Sequence, residues 1–236
     1  MTIEKTQGKC SYCSGMFTKG GMSKHLEKCV SKQSSIQKNG KDGDAFLIEV
    51  YGKYNPRYWL FIEADASIEL KDIDLFLRDI WLECCGHLSC FTIRGIQYDS
   101  SPSGASFFGK RTMSMKIKLN KILRTGLVFE HEYDFGTTTH LILRVISARS
   151  GSIPNKIKLI ARNEPVKFKC VLCGKNATEM CSMCVDEKPS WFCKVCVKKH
   201  KCNDDTESEN SEEMMLPIVN SPRTGQCGYV GNGENE

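Results

Sequence analysis

Residues 170–202 constrain the fold of this chain more than any other stretch, and they read CVLCGKNATEMCSMCVDEKPSWFCKVCVKKHKC. Seven cysteines and one histidine fall within these 33 residues. Few apolar residues lie between them, so the stretch cannot bury a core large enough to fold without cross-links. Disulfides, metal ions and redox-active thiols are the three chemistries that such a cluster can serve.

The rest of the chain favours a metal over the other two chemistries. The first residues, MTIEKTQGKCSYC, lack the apolar region of a secretory signal. The longest apolar run, near residues 58–62, is far below the roughly 20 residues that a membrane span needs. We therefore expect a cytoplasmic protein with no membrane contact, where cysteine clusters more often bind metal than form disulfides. A redox pair is disfavoured because no thioredoxin-like βαβ pattern surrounds it.

The spacing of the cluster supplies ligands for two tetrahedral zinc ions. Three C-x-x-C pairs and a final His-x-Cys pair give eight ligands, and each C-x-x-C turn lets two thiolates reach one ion. The order favours an interleaved, or cross-brace, arrangement, although a sequential one stays open. The interleaved sets are Cys170, Cys173, Cys193 and Cys196 for one ion, and Cys181, Cys184, His200 and Cys202 for the other. Because protein ligands fill all eight positions, catalysis by these ions is disfavoured.

A second metal motif opens the chain and reads Cys10-x2-Cys13-x11-His25-x3-Cys29. His25 and Cys29 are four residues apart, so they face the same way on a helix, and the C-x-x-C turn closes a tetrahedron. The motif resembles the CCHC variant of the C2H2 zinc finger, with a small core expected from Phe17, Met22 and Leu26. A third Zn2+ ion is therefore expected here. The outer face of the finger helix is expected to carry Ser23, Lys24, Glu27 and Lys28.

The charge of the chain is a weak guide to its partners. The formal net charge is +5, but ten cysteine ligands bound as thiolates to three Zn2+ ions would reduce it to about +1. An acidic run, NDDTESENSEE, occupies residues 203–213 and is expected to be a solvated linker, or else to screen the basic fingers from anions. The lysines expected to contact nucleic acid, if it binds, are Lys24, Lys28, Lys194, Lys198 and Lys199.

A globular α+β domain is expected at residues 44–165, after a polar linker at residues 31–43. β-Enriched segments predict a mostly antiparallel sheet, and they read DAFLIEVYG, RYWLFIEADA, HLSCFTIRG, TMSMKIKL, GLVFEHEYDFG, THLILRVISAR and KIKLIARNE. One main amphipathic helix is predicted in SIELKDIDLFLRDIWLECCG, with Ser67 as its cap and Gly86 at its end. Its apolar face is predicted to hold Ile73, Phe76, Leu77, Ile80, Trp81 and Cys84.

The segment FEHEYDFGTTTHL carries the most distinctive motif of this domain, which is Tyr133, Asp134, Phe135 and Gly136. Together with the helix-to-strand junction WLECCGHLSCF, which holds His87 and Phe91, it resembles the plasmid open-reading-frame-three-like family. That family is named from a root-inducing (Ri) plasmid and linked by name to the passenger protein of an insertion element. The resemblance covers residues 44–165 and implies the α+β fold. It implies no defined activity, although the mobile-element link suggests nucleic-acid work by analogy.

The hairpin around this motif has a structural and a chemical interpretation. His131, Asp134 and His140 surround it, and such groups can in principle act as acid, base or metal ligands. Because His131 and Asp134 are three residues apart in a predicted strand, their side chains point to opposite faces. The favoured interpretation is a turn aspartate that accepts backbone N–H groups, with two histidines on the sheet surface.

The remaining cysteines and the C-terminal tail are expected to be structural. A further metal site at Cys84, Cys85, His87 and Cys90 is possible, but packed cysteines are favoured. Cys227 is expected to be a packed or free thiol, outside every ligand set. The tail at residues 214–236 contains apolar side chains that are costly to leave in water, so it is expected to dock back on the core. The alternative is a recognition element formed by Asn220, Arg223 and Tyr229.

Three functions remain open for the chain. The favoured one is a non-enzymatic zinc-binding adaptor associated with nucleic acid. The second is a protein-protein interaction module, because the cross-brace spacing is similar to that of B-box-type fingers. The third is an uncharacterised enzyme with its site at residues 133–140, although no known nucleophile or phosphate-loop motif is present.

The expected organisation is a finger at 1–30, a linker at 31–43, the α+β domain at 44–165, the two-zinc module at 166–202, an acidic linker at 203–213 and the tail at 214–236.

Overall fold

Two compact units make up the chain in the computed structural model, which describes residues 5–36, 44–101, 112–151, 153, 155–184, 189–201 and 214–231. The first, called here the sheet unit, consists of Met1–Asp79 and His87–Glu164. The second, called the cysteine-rich unit, consists of Ile80–Gly86 and Pro165–Glu236. The acidic run at residues 203–213 and the predicted ligand Cys202 lie outside the described residues.

The sheet unit begins with a small ββα arrangement. Strands β1 (Gln7–Lys9) and β2 (Met16–Thr18) pair antiparallel, and helix α1 (Lys19–Ile36) follows directly. The helix therefore continues into the stretch expected to be a polar linker, of which residues 37–43 lie outside the described part of the chain. Within the described residues, no helix has both the length and the apolar composition that a membrane crossing requires.

An eight-stranded sheet forms the core of the sheet unit. Its strands are β3 (Asp44–Gly52), β4 (Trp59–Asp65), β5 (Ser89–Ile93), β6 (Ile96–Asp99), β7 (Met113–Ser114), β8 (Val128–Tyr133), β9 (Thr139–Ser150) and β10 (Ile157–Arg162). They lie in the order β10-β4-β3-β9-β8-β5-β6-β7, and every neighbouring pair is antiparallel except β6 with β7. The predicted α+β class, with a mostly antiparallel sheet, is confirmed.

The burial pattern of the strands follows from their sequences. Residues 59–62 of β4 are fully buried, as expected for an uninterrupted apolar run covered on both faces. In β8, by contrast, Phe129, His131 and Tyr133 alternate with more exposed residues, so this strand has one buried face. Strand β4, second from one edge of the sheet, is therefore buried on both faces, whereas β8 is buried on one.

The predicted main helix is shorter than its apolar pattern suggests. Helix α2 covers Leu70–Leu77, and a π-helical turn at Arg78–Leu82 follows it. The predicted cap was wrong, because the N–H and hydroxyl of Ser67 both donate to Asp65 Oδ1, at 2.8 and 2.6 Å. This local turn competes with capping, as short polar side chains often do. Gly86 adopts a φ of +79°, but it lies four residues beyond the last helical turn.

Two strand predictions also differ from the structure. Strand β6 was not predicted, because its sequence IQYD is short and lies between turn residues. In TMSMKIKL only Met113–Ser114 is a strand, and the short helix α3 (Leu119–Ile122) follows. The N–H of Leu119 donates to Ile68 O at 2.9 Å, so this backbone is bonded to the loop before α2 rather than to a neighbouring strand.

A buried polar network joins α2 to the sheet. Asp74 lies at its centre, with one carboxylate oxygen 2.8 Å from His131 Nε2 and 2.7 Å from Ser89 Oγ. Its other oxygen accepts from Arg78 Nε at 2.8 Å. Burial by itself would raise the pKa of Asp74, but the hydrogen bonds from His131 and Ser89 and the charge of Arg78 outweigh it and lower the pKa to about 2. His131 is fully buried here, so its predicted place on the sheet surface was wrong.

This network predicts a specific loss of stability in acid. Asp74 has a folded-state pKa below its unfolded value, so its contribution is present above about pH 4 and disappears as the pH falls towards about 2. The contribution is expected to be about 2 kcal/mol. Calorimetry should therefore show that the free energies of unfolding of the protein and of Asp74→Asn approach each other as the pH falls from about 4 to about 2. Metal loss in acid affects both proteins alike. A difference in free energy of unfolding that stays constant down to about pH 2 would contradict a lowered pKa for Asp74.

The cysteine-rich unit contains a three-stranded antiparallel sheet. It consists of β11 (Glu179–Cys181), β12 (Trp191–Phe192) and β13 (Met215–Pro217), with β11 in the middle. Strand β13 belongs to the C-terminal tail, which therefore packs on the cysteine-rich stretch through backbone pairing. Beyond it, Ser221 Oγ donates to the Trp81 carbonyl at 2.7 Å, and Trp81 Nε1 donates to the Asn220 carbonyl at 3.1 Å.

Candidate metal centres

The N-terminal group joins Cys10, Cys13, His25 and Cys29, whose ligand atoms all lie within 4.8 Å of one another. The two cysteines of the C-x-x-C pair flank the turn between β1 and β2, and the other two ligands lie on α1. Cys13 Sγ is 3.3 Å from His25 Nε2. The Phe17 ring stacks on the imidazole at 4.2 Å between centroids, which holds it in place. These four ligand atoms therefore surround a position that can hold a metal ion.

The finger around this group has a small buried core and one exposed helical face. Met22 and Leu26 are fully buried, as predicted. Lys24 and Lys28 are exposed on α1, also as predicted. Ser23 was wrongly expected on the outer face; it is only 7% exposed because α1 packs against the sheet.

The finger is joined to the sheet by backbone and apolar contacts. The N–H of Ser11 donates to the Ile160 carbonyl at 2.8 Å. A side chain at Gly8 would collide with the Arg162 carbonyl oxygen, so the close approach of β1 to β10 requires glycine. One hydrophobic cluster runs from the finger into the sheet and contains Cys10, Met22, Leu26, Leu47, Trp59, Phe61, Ile146, Ile160 and Ala161.

The cysteine-rich unit brings together the first and third C-x-x-C pairs. The four sulfurs of Cys170, Cys173, Cys193 and Cys196 all lie within 4.8 Å of one another. Cys173 Sγ and Cys193 Sγ are 3.7 Å apart. A tetrahedral ion with Zn–S bonds of about 2.3 Å places two sulfurs about 3.8 Å apart, so this spacing suits such an ion. Of the two orders left open by the sequence, the structure adopts the interleaved one.

The second C-x-x-C pair lies beside His200. Cys181, Cys184 and His200 offer ligand atoms within 4.8 Å of one another, and Cys184 Sγ is 3.6 Å from His200 Nε2. His200 follows a 3-10 turn at Val197–Lys199, and its ring lies 4.5 Å from that of Phe192. These three ligands leave one tetrahedral position for the predicted fourth ligand, Cys202, which is outside the described residues.

The electrostatics of the four-cysteine group favour a bound cation. Burial would raise the pKa of the Cys170 thiol, but hydrogen bonds from backbone N–H groups lower it to about 6, and that of Cys193 contributes most. Backbone N–H groups of the adjoining turn also lower the pKa of Cys193. The pKa of Cys196 is instead raised to about 12, chiefly by its hydrogen bond to Cys173. The lowered pKa values of Cys170 and Cys193 favour thiolates, whereas Cys196 retains its proton unless a metal ion replaces it, so the residues fit a divalent ion.

A fourth group of thiols lies in the cysteine-rich unit. Cys85 Sγ is 3.6 Å from Cys84 Sγ and 3.8 Å from Cys227 Sγ. Cys227, expected outside every ligand set, thus lies beside two others. Cys90, which the sequence grouped with Cys84 and Cys85, is buried in β5 with its sulfur 3.5 Å from Glu132 Oε2. No spacing rule could have joined Cys85 to a residue 142 positions away.

The hairpin of residues 133–140 does not bring its candidate groups together. Asp134 has a φ of +65°, and its Oδ1 accepts the N–H groups of Gly136 and Thr137 at 3.0 and 3.3 Å, as predicted for a turn aspartate. His131 points to Asp74 on the buried face of β8. His140 Nδ1 lies 3.1 Å from Glu132 Oε1, on the face where β8 is more exposed.

Basic side chains mark the surface beside the metal groups in each unit. All five predicted contact lysines are exposed; they are Lys24, Lys28, Lys194, Lys198 and Lys199. The sheet unit also has a cleft of about 350 Å³, and none of its eight lining residues is acidic. Three of those lining residues are the cations Lys5, Lys19 and Arg57, a feature that sequence reasoning missed.

Comparisons with known proteins assign no family to this chain. No protein-family model matches it, and no curated protein matches it. Among solved structures it is similar to a protein of unknown function, MM3350, from Methanosarcina mazei Go1. The two share 15% identity with a TM-score of 0.42 over 51% of this chain and 68% of that one.

Proposed function

We propose that the chain is a non-enzymatic zinc-binding adaptor of the cytoplasm that holds three structural Zn2+ ions. The observation that carries the proposal is the convergence of three sets of cysteine and histidine ligands. Thiolate and imidazole are the donors that tetrahedral zinc prefers. Four protein ligands leave no position for a water molecule, so such an ion stabilises a fold rather than activating a substrate. The fourth ligand of the third set is proposed to be Cys202.

Nucleic acid is the proposed partner, and the exposed lysines beside the metal groups support it. Lys24 and Lys28 are one helical turn apart on the exposed side of α1, so both can meet the same phosphate backbone. The basic cleft of the sheet unit adds three further cations. The resemblance of residues 44–165 to the plasmid open-reading-frame-three-like family points to the same class of partner by analogy.

The double variant Lys24→Ala/Lys28→Ala tests this partner. Each phosphate contact that is lost should reduce the slope of log affinity against log salt by about 1, so the slope should fall by about 2. Fluorescence anisotropy with a short DNA duplex, repeated over a series of salt concentrations, measures this slope. Lys71→Ala/Lys121→Ala removes the same charge from other exposed positions and should leave the slope unchanged. Absence of binding at low salt would refute a nucleic-acid partner.

A protein-interaction module is the second candidate, and exposed apolar side chains favour it. Val171, Leu172 and Val195 are 44, 55 and 71% exposed, and they are three of the four middle residues of the two C-x-x-C turns of one group. Such residues can pack against a protein partner. Capture of a partner that survives nuclease treatment and is lost in Val195→Ser would favour this candidate over nucleic acid. An enzyme at the hairpin is the least supported, because His131 and His140 contact different carboxylates.

A further inference from the structure

Three thiols in the cysteine-rich unit have the spacing of metal ligands but belong to none of the three groups above. The sulfurs of Cys84, Cys85 and Cys227 all lie within 4.8 Å of one another. The two closest separations, 3.6 and 3.8 Å, match the distance of about 3.8 Å between sulfurs on one tetrahedral zinc ion. They also match the 3.7 Å between Cys173 and Cys193. The adjacent Cys84 and Cys85 therefore converge here with Cys227, although the sequence favoured packed cysteines over a metal site.

The backbone directly after Cys85 and Cys227 turns as it does after Cys13 and Cys173. Gly86 follows Cys85 with a φ of +79°, and Gly228 follows Cys227 with a φ of +66°. Ser14 follows Cys13 and Gly174 follows Cys173, with φ values of +60° and +71°. The left-handed residue reverses the chain directly after a sulfur ligand, and glycine adopts it without strain. The same local turn thus accompanies sulfur clusters in both units.

A buried arginine supplies the charge that such a site needs. Arg223 is fully buried, and its Nη2 donates to Cys84 Sγ at 3.4 Å. A guanidinium remains charged inside a protein and is stabilised by an anion at its donors. Three thiolates and one Zn2+ ion carry a net charge of −1, which one guanidinium offsets. The position of Arg223 therefore suits a metal-bound thiolate at Cys84 better than a neutral thiol.

We propose that Cys84, Cys85 and Cys227 bind a fourth Zn2+ ion that fastens the C-terminal tail. This site lies outside the three ligand sets of the proposed function and goes beyond it. The ion would link the turn after Arg78–Leu82 to the tail, next to the hydrogen bonds that Ser221 and Trp81 already form. Three thiolates leave one tetrahedral position for a further ligand.

Native mass spectrometry of the full chain, reduced and supplied with zinc, tests the fourth site. The protein should hold four ions and Cys227→Ser three. Cys227 is exposed, so serine removes a ligand and little packing. Val230→Ser, at a 59% exposed position of the same tail, keeps every thiol, is the matched control and should retain four. Hydrogen exchange at residues 219–229 should become faster in Cys227→Ser and stay unchanged in the control.

The outcomes separate this proposal from that of the three structural ions. Three ions in both the protein and Cys227→Ser would overturn the fourth site and leave the other three sites intact. Unreduced protein that holds three ions and has a mass lower by two hydrogens would contain a disulfide, and this result would also overturn the fourth site. A protein without any zinc would refute the proposed function itself.

Discussion

Replacing Cys173 by serine is expected to unfold the cysteine-rich unit and leave the sheet unit folded. Cys173 is exposed, so the change removes a metal ligand and almost no packing. A structural zinc supplies on the order of 10 kcal/mol of folding free energy, as much as the whole stability of a typical domain. Hydrogen exchange should therefore show that β11 and β12 lose protection while β3 and β4 retain it.

The neighbouring residue offers a matched control for this variant. Leu172→Ser changes a 55% exposed side chain of the same turn and keeps all four ligands, so its effect should stay within about 0.5 kcal/mol. A Cys173→Ser protein that keeps its full zinc content and the protection of β11 would show that these sulfurs pack rather than bind metal.

The second large effect is expected from Cys13→Ser in the N-terminal finger. Cys13 is exposed, and its loss opens the metal group that fixes α1 against the sheet. The buried Met22 and Leu26 contribute about 1.5–3 kcal/mol each, too little to replace a zinc ion worth on the order of 10 kcal/mol. Helix α1 should therefore unfold, and circular dichroism should record the loss of helical signal.

Loss of the finger should also expose the cluster that it shares with the sheet. Trp59, which is fully buried in that cluster, should gain solvent contact, and the melting temperature of the sheet unit should fall. Met16→Ser, at a 46% exposed position of the same finger, keeps the ligands and serves as the control. Full protection of α1 in zinc-free protein would contradict a structural role for the metal.

Local patterns in the sequence account for most of the secondary structure and for the ligand sets. Alternation and apolar runs predicted the segment of β3 residue for residue, because the pattern of a strand depends on the residue types at neighbouring positions. The spacing of the cysteine pairs limited the pairing to two orders, because a C-x-x-C turn presents both sulfurs to one ion. Both features depend on residues close together in the chain.

Contacts between distant residues could not be predicted in this way. The alternating sequence around His131 fits either face of a strand, and only the position of Asp74 on α2 shows that His131 is buried. Cys227 lies beside Cys85 across 142 positions, and no periodicity links them. Ser67 fits the rule for a helix cap, yet the competing carboxylate of Asp65 binds it instead. Each of these depends on tertiary placement or on a choice between equivalent local partners.

Counting zinc ions in the purified, reduced protein tests the central claim most directly. Native mass spectrometry should find one ion for each of the three ligand sets, with one ion lost in Cys13→Ser and both ions of the cysteine-rich unit lost in Cys173→Ser. The fourth site would add one ion to the total and, because it lies in the same unit, one ion to the loss in Cys173→Ser. A folded protein that holds no stoichiometric zinc, in buffer supplied with the metal, would contradict the account.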